Sequence, residues 1–279
     1  MKKERLDKCL VALGLFETRE KAKKAIMAGM VEIDGQIHTK AGDQIPVDLE
    51  PAHVKIKGDP LPFVSRGGLK LARGLDVFDF PVKNKTFLDI GASTGGFTDC
   101  LLQHGAKKVW AIDVGYGQFD WSLRNDSRVV CMERTNFRYM TLDAIGGTPA
   151  WGTVMDVSFI SILKLMPAIY ALTEEGGKGI WLIKPQFEAG KDHVGKHGVI
   201  RDAAIHEAVL TRVTAGITEA GFAVLGLDYS PIRGPKGNIE FLCLTQKQNG
   251  AVLNEAIAGK QAVKDLVARA HDTLYRKDS

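Results

Sequence analysis

Leu88-Asp89-Ile90-Gly91-Ala92-Ser93-Thr94-Gly95-Gly96-Phe97 is the stretch on which the reading of the fold turns. Lys85 to Ile90 has the apolar make-up of a buried strand, and Thr98 to His104 reads as the helix that follows it. Between them lies a turn of small residues. Its glycines allow close backbone approach to a ligand and set amide groups at the start of a helix. Taken alone, such a turn is weak evidence, since a tight strand–helix connection also accounts for it.

Two details select among ligands. Ser93 occupies the second glycine position of a dinucleotide fingerprint, and no Gly-Lys-Ser/Thr closes the turn as a P-loop would require. Asp113, in Trp110-Ala111-Ile112-Asp113-Val114, ends a second strand about one βα unit later, where an acid holds ribose hydroxyls. NAD and S-adenosylmethionine both use such an acid. The turn favours S-adenosylmethionine, whose carboxylate and amine need backbone groups rather than a pyrophosphate cradle. The expected cofactor set is Asp89, Gly91, Ala92, Ser93, Gly95, Gly96, Phe97, Asp113, Val114 and Asp156. Of the aromatics after Asp113, Tyr116, Phe119 and Trp121, core packing is the expected fate of each.

Outward from this motif the pattern stays strand–helix–strand. Lys108 to Ile112, Arg128 to Met132, Thr153 to Val157 and Gly179 to Ile183 are strand candidates. A helix from Ala203 to Ala220 follows, then strands at Phe222 to Ser230 and Ile239 to Thr245. A last amphipathic helix carries Val263, Leu266, Val267, Ala270 and Leu274. Alternation of this kind implies an open α/β sheet, Rossmann-like and mostly parallel.

The first sixty residues differ. Leu6, Cys9, Leu10 and Leu13 share one helical face, and Gly14 caps that helix. Thr18 opens a second helix rich in basic residues. Alternating residues on either side of Asp34-Gly35 then form a hairpin. Pro51, Pro60 and Pro62 punctuate the passage onward. The expected division is a small α+β domain over 1–59, a linker at 60–64 and the α/β domain over 65–279.

The chain has 279 residues, 45% of them hydrophobic, and a net charge of +4, which permits a polyanionic partner without requiring one. Its four cysteines form no CxxC pair, so no zinc site follows, and the histidines lack metal-ligand spacing. No apolar run approaches a membrane span and no signal core follows Met1, so a reducing, cytoplasmic setting is expected.

Four polar residues suggest chemistry. Asp156 and Lys184 close successive strand candidates, where strand ends overhang the ligand crevice of an α/β sheet. A lysine ending an apolar strand is costly unless paired or beside a cavity, although a lysine can also snorkel from a sheet edge. Lys70, in Ser65-Arg66-Gly67-Gly68-Leu69-Lys70, and Glu240, in Asn238-Ile239-Glu240-Phe241, are distant in sequence, and spacing alone does not join them.

Resemblance does. The second domain resembles the FtsJ-type ribose 2′-O-methyltransferases, whose active site is a Lys-Asp-Lys-Glu tetrad that Lys70, Asp156, Lys184 and Glu240 match in order and type. The whole chain resembles the TlyA (hemolysin A) family. Shared stretches include Asp156-Val157-Ser158-Phe159-Ile160-Ser161, Lys184-Pro185-Gln186-Phe187-Glu188-Ala189-Gly190 and Gly198-Val199-Ile200-Arg201-Asp202. The resemblance implies transfer of a methyl group to a ribose 2′-hydroxyl of ribosomal RNA, with cytidine as target and no metal. Lys184 would be the base, its free-amine form favoured by desolvation and by Lys70. Asp156 would orient it, and Glu240 would hold the other lysine or the hydroxyl.

The N-terminal part resembles the S4 RNA-binding domain. Arg5, Arg19, Lys21, Lys23 and Lys24 would face phosphates, joined by Arg66 and by Lys191, Lys196 and Arg201 of a glycine-containing basic loop. A solvated lysine face is the usual reading of such a charge run, but Thr18 to Ala22 followed by Gly29 to Gly35 supplies both halves of that domain's pattern; residues 191–201 are equally an RNA clamp or a mobile surface loop. A pseudouridine synthase carrying the same N-terminal domain would not need residues 88–97. A non-catalytic assembly factor would not need the tetrad, and a pore-forming haemolysin would need an insertion segment.

Overall fold

The computed structural model describes residues 3–16, 18–27, 29–57, 61–190, 193–195 and 198–275. It divides into two compact units, Met1–Arg66 and Gly67–Ser279.

In the first unit a short strand β1 (Lys3–Arg5) leads into helices α1 (Leu6–Ala12) and α2 (Arg19–Met27). Gly14, at φ +71°, ends α1 just past its last turn, and the Thr18 hydroxyl accepts the Lys21 amide at the start of α2. Strands β2 (Val31–Ile33) and β3 (Gln36–His38) pair antiparallel across Asp34-Gly35. Both turn residues have positive φ, as a type I′ hairpin needs. Strands β4 (Gln44–Pro46) and β5 (Val54–Ile56) pair with β1 and β2 respectively. Leu6, Leu10, Ala22, Ile26 and Val31 form the core of this unit.

The second unit begins with α3 (Gly67–Val77), followed by β6 (Thr86–Ile90), α4 (Gly96–Gln103) and β7 (Lys108–Ile112). Next come α5 (Trp121–Arg124), β8 (Val129–Met132), β9 (Ala150–Met155), α6 (Met166–Leu172) and β10 (Thr173–Ile183). The chain continues through α7 (Pro185–Glu188), α8 (Ala203–Glu219), β11 (Phe222–Tyr229), β12 (Phe241–Lys247), α9 (Glu255–Ala258) and α10 (Lys260–Tyr275).

Seven strands form one sheet in the order β11-β12-β10-β9-β6-β7-β8. Pairs from β10 to β8 are parallel, and β12 joins β10 and β11 antiparallel. Alternate strand residues serve the two faces. Leu88, Ile112, Met155, Trp181 and Phe241 join the cluster that includes Val209 and Leu210 of α8 and Leu266 and Ala270 of α10. On the other face α3 lies close to the sheet: a Cβ on Gly74 would stand 3.0 Å from Ile180. No helix among the described residues is long and apolar enough to cross a membrane.

Three expected strands have other bounds, and the one expected at Gly179 to Ile183 begins at Thr173. The strand expected at Thr153 to Val157 begins at Ala150 and ends at Met155. That expected at Ile239 to Thr245 runs from Phe241 to Lys247. Asp156, Val157, Ile239 and Glu240 leave the regular ladder where the strands meet the site.

Candidate active site

The site forms where β6 and β9 lie side by side while their following connections diverge, the switch point at which open α/β sheets bind ligands. Gly91 leaves β6 at φ +85°, and a Cβ there would stand 2.8 Å from the Asp156 carbonyl oxygen. Only glycine fits both the backbone and the space. Gly95 is as confined, because a Cβ would run into Leu123 and lie 3.0 Å from Phe119.

A cavity of about 510 Å³ opens over this turn. Gly91, Ser93, Asp113, Val114 and Asp156 line it, together with Val157, Ser158 and Phe159. One Asp113 carboxylate oxygen accepts the Ser93 amide at 2.7 Å and the other the Gly115 amide at 2.6 Å, which fixes the acid at the cavity wall. Among the residues singled out from the sequence, Ala92, Gly95, Gly96 and Phe97 are buried behind the turn. Asp89 is wholly buried too, accepting the Thr98 hydroxyl at 2.6 Å, and burial pushes its carboxyl up to about 7. Of the three aromatics only Phe119 packs inside. Tyr116 and Trp121 are exposed, Tyr116 lying 3.9 Å beneath the Arg134 guanidinium. That corrects the expectation of core packing for both, since they sit on the irregular segment around the short helix α5 rather than on a core-facing stripe.

Lys70, Asp156, Lys184 and Glu240 come together in one chain of charges. Lys184 Nζ is 2.5 Å from Asp156 Oδ1, Lys70 Nζ 3.2 Å from Asp156 Oδ2, and Lys70 Nζ 2.6 Å from Glu240 Oε2. Lys184 Nζ also donates to Ser158 Oγ at 3.1 Å. Helix α3 supplies Lys70, and the residues just beyond β9 and β10 supply Asp156 and Lys184. Glu240, 1% exposed, comes immediately before β12. Burial alone would lower the Lys70 ammonium, but Asp156 and Glu240 outweigh it and hold Lys70 above its ordinary value. Burial likewise opposes ionisation of Asp156, and the two lysines overcome it and keep the carboxyl low.

Three participants escaped the sequence reading. Ser158 and Gln186 lie inside motifs quoted for other residues; Gln186 donates to Glu240 Oε1 at 3.4 Å. Glu188 is buried beneath the loop after Asp156. A polar residue two positions from a suspected site residue was the available signal for the first two.

In the N-terminal unit, Arg5 and Arg19 both bind Asp7, at 3.0 and 2.9 Å. These hydrogen bonds, Arg5's foremost, lower the Asp7 carboxyl to about 2 despite its burial. Lys21 and Lys23 are exposed, Lys24 is half-buried, and Arg66 and Arg201 are exposed. Lys191 and Lys196 lie outside the described residues. No group of three metal-ligating side chains occurs among the described residues.

A ligand cavity at the switch point, sharing Asp156 with a buried set of paired lysines and acids, has the make-up of an enzyme active site. Residues 63–247 match the model of the FtsJ-like methyltransferase family and residues 4–50 that of the S4 domain, and the chain belongs to the FtsJ-like methyltransferases, in the TlyA group that carries both. The putative rRNA methyltransferase YqxC of Bacillus subtilis is 49% identical over 99% of this chain and 97% of its own. The 16S/23S rRNA (cytidine-2′-O)-methyltransferase TlyA of Mycobacterium tuberculosis is 39% identical over 96% and 97%. A solved structure, a putative hemolysin from Streptococcus thermophilus, is 45% identical, superposes with a TM-score of 0.78 and covers 100% of this chain and 99% of that one. The enzyme is an S-adenosylmethionine-dependent methyltransferase. The residues fit that cofactor: the cavity has the volume of a small-molecule site, its glycine turn leaves no room for a side chain, and an acid stands at its wall.

Proposed function

We propose that this chain methylates a ribose 2′-hydroxyl of ribosomal RNA, with cytidine as the target nucleoside, and works in the cytoplasm where that RNA is found. The observation that carries the reading is Asp156, which lines the cavity and pairs with both lysines, so proton-handling groups there would stand beside a bound methyl donor. Gly91, Ser93, Asp113 and Val114 would hold S-adenosylmethionine, with Asp89, Ala92, Gly95, Gly96 and Phe97 supporting the turn from behind.

Bound there, the cofactor supplies an activated methyl on a sulfonium. A ribose hydroxyl is a poor nucleophile until it sheds its proton, and Lys184 Nζ in its free-amine form receives it. Asp156 orients Lys184 and carries the charge that the resulting ammonium needs. Lys70, pinned between Asp156 and Glu240, remains an ammonium and fixes the Asp156 carboxylate. What remains is in-line placement of donor and acceptor. Arg5 and Arg19, preset on Asp7, with Lys21, Lys23, Lys24, Arg66 and Arg201, and with Lys191 and Lys196, take up RNA phosphates without reading sequence.

The test is tritium transfer from labelled S-adenosylmethionine to separated ribosomal RNAs, followed by mapping of the product. Label on a cytidine ribose is expected; label on a base, or none, overturns the reading. Lys184→Ala is expected to abolish transfer while S-adenosylmethionine still binds, and near-normal turnover in that variant would remove Lys184 from its role.

A further inference from the structure

Outside the four charged residues the second unit holds another buried acid. Glu188, 7% exposed, closes the short helix α7, four residues after Lys184. Its carboxylate accepts the Ser161 hydroxyl at 2.8 Å and the Ile162 amide at 2.8 Å. Arg212 of α8 donates to the Glu188 carboxylate at 3.2 Å and to its backbone carbonyl at 2.6 Å. Three segments therefore meet on one side chain: the loop that follows Asp156, the turn that follows Lys184, and a core helix.

The loop so held is strained. Phe159 has φ +66°, a conformation that costs a bulky L-residue and persists only where its surroundings over-determine it. Its ring is 90% exposed and meets only the Phe187 ring among aromatics, 5.0 Å between centroids, so core packing does not hold it there. Just beyond it the loop is fixed by the two hydrogen bonds to Glu188 and by Ser161, which caps the next turn by accepting the Leu163 amide at 3.3 Å. On the near side of Phe159, Ser158 accepts from Lys184 Nζ, and Asp156 pairs with the same atom. If the far end of the loop were released, Phe159 would relax to negative φ and Ser158 and Asp156 would shift against Lys184.

We propose that Glu188 is a positioning residue for methyl transfer: it holds the Asp156–Ser161 loop in its strained form and thereby sets the Asp156–Lys184 pair. It touches none of the four charged side chains. The inference rests on the methyl-transfer reading of the site. A displacement of about 1 Å between reacting groups is enough to slow a reaction about 100-fold.

The experiment compares wild type, Glu188→Ala, Glu188→Gln and Ser161→Ala as full chains. It measures kcat and KM with ribosomal RNA and labelled S-adenosylmethionine, and the affinity for S-adenosylhomocysteine by calorimetry. Glu188→Ala is expected to lower kcat by about 100-fold while S-adenosylhomocysteine affinity changes less than about tenfold. Glu188→Gln, whose amide oxygen still accepts the Ile162 amide, is expected to recover at least about a tenth of wild-type kcat. Ser161→Ala, which keeps the carboxylate paired with Arg212, is expected to fall between wild type and Glu188→Ala.

A kcat within threefold of wild type in Glu188→Ala overturns the proposal. So does a loss confined to S-adenosylhomocysteine affinity, which would make Glu188 a support of the donor pocket alone. Should Glu188→Ala fail to fold, unchanged kcat in both Glu188→Gln and Ser161→Ala overturns it equally. Absence of transfer by wild type itself would instead strike the proposed function, so the two failures are distinct.

Discussion

Replacing Glu240 by Gln tests the charge chain at its most buried point. The native pair joins Lys70 Nζ and Glu240 Oε2 at 2.6 Å, with side chains 9% and 1% exposed. Removing one partner of a buried pair strands the other charge and costs on the order of 3–5 kcal/mol. Lys70 keeps Asp156 at 3.2 Å, and the glutamine oxygen still accepts, so the lower end, about 3 kcal/mol, applies. For a unit of this size each kcal/mol moves the melting temperature by roughly 2–4 °C, so a fall of about 6–12 °C is expected.

The companion variant joins Glu240→Gln with Lys70→Met. With both charges gone, Asp156 loses Lys70 but keeps Lys184, the remaining charges still balance, and replacing a whole buried pair costs less than stranding one member of it. The double variant should therefore melt above the single one, although it carries one more substitution. Circular dichroism or calorimetric scans of the full chain at pH 7.5 read both. A single variant within 2 °C of wild type, or a double variant no better than the single, would refute the argument that Lys70 depends on Glu240 for its charge.

Two further outcomes follow from buried groups and from the glycine turn. Burial first, and then His271 at 2.9 Å, hold His206 at about 4, against 6.5 when unfolded. The unfolded chain thus binds the extra proton between those values, and stability drops by roughly 3 kcal/mol as pH falls through that window. Asp89, raised to about 7, acts in the opposite sense over an overlapping range, so urea unfolding of wild type against His206→Leu at pH 7 and pH 5 isolates the histidine. An identical pH difference in both would count against it. Gly91→Ala places a methyl 2.8 Å from the Asp156 carbonyl, and calorimetry should show at least about tenfold weaker S-adenosylhomocysteine binding; unchanged affinity would mean that the turn yields freely.

The features legible in the sequence were those that short-range physics decides. The strand Lys108 to Ile112 coincides with β7, the Asp34-Gly35 hairpin has its two positive φ angles, and the helix expected from Ala203 to Ala220 is α8. Helix α3 was not legible, since Gly67, Gly68 and Gly74 depress helix propensity and its boundaries carry no plain cap. Those glycines serve packing instead: Gly74 lets the helix approach Ile180 on the sheet. The site divides in the same way. Asp156 and Lys184 could be suspected as strand-ending polar residues. Lys70 and Glu240 could be joined to them only by resemblance, because their hydrogen bond spans 170 positions of sequence. Glu188 reads as an ordinary surface acid until the fold turns it beneath the Ser161 loop.

The geometry also gives a physical ground for the different roles of the two lysines. Lys70 is held by two carboxylates, Lys184 by one carboxylate and a neutral hydroxyl. Counted together, the four residues carry two positive and two negative charges, so the buried set is balanced while both lysines are ammonium. Taking a proton from Lys70 would leave Glu240, almost wholly buried, facing Asp156 with no cation between them, and like charges in a low-dielectric setting repel strongly. Taking one from Lys184 leaves Asp156 still paired with Lys70. For the proposed reaction this charge balance favours Lys184 as the proton site, with Glu240 acting at one remove by keeping Lys70 paired. On this argument a loss of Glu240 harms the fold first and the reaction through Asp156, whereas a loss of Lys184 spares the Lys70–Glu240 pair and removes the proton acceptor.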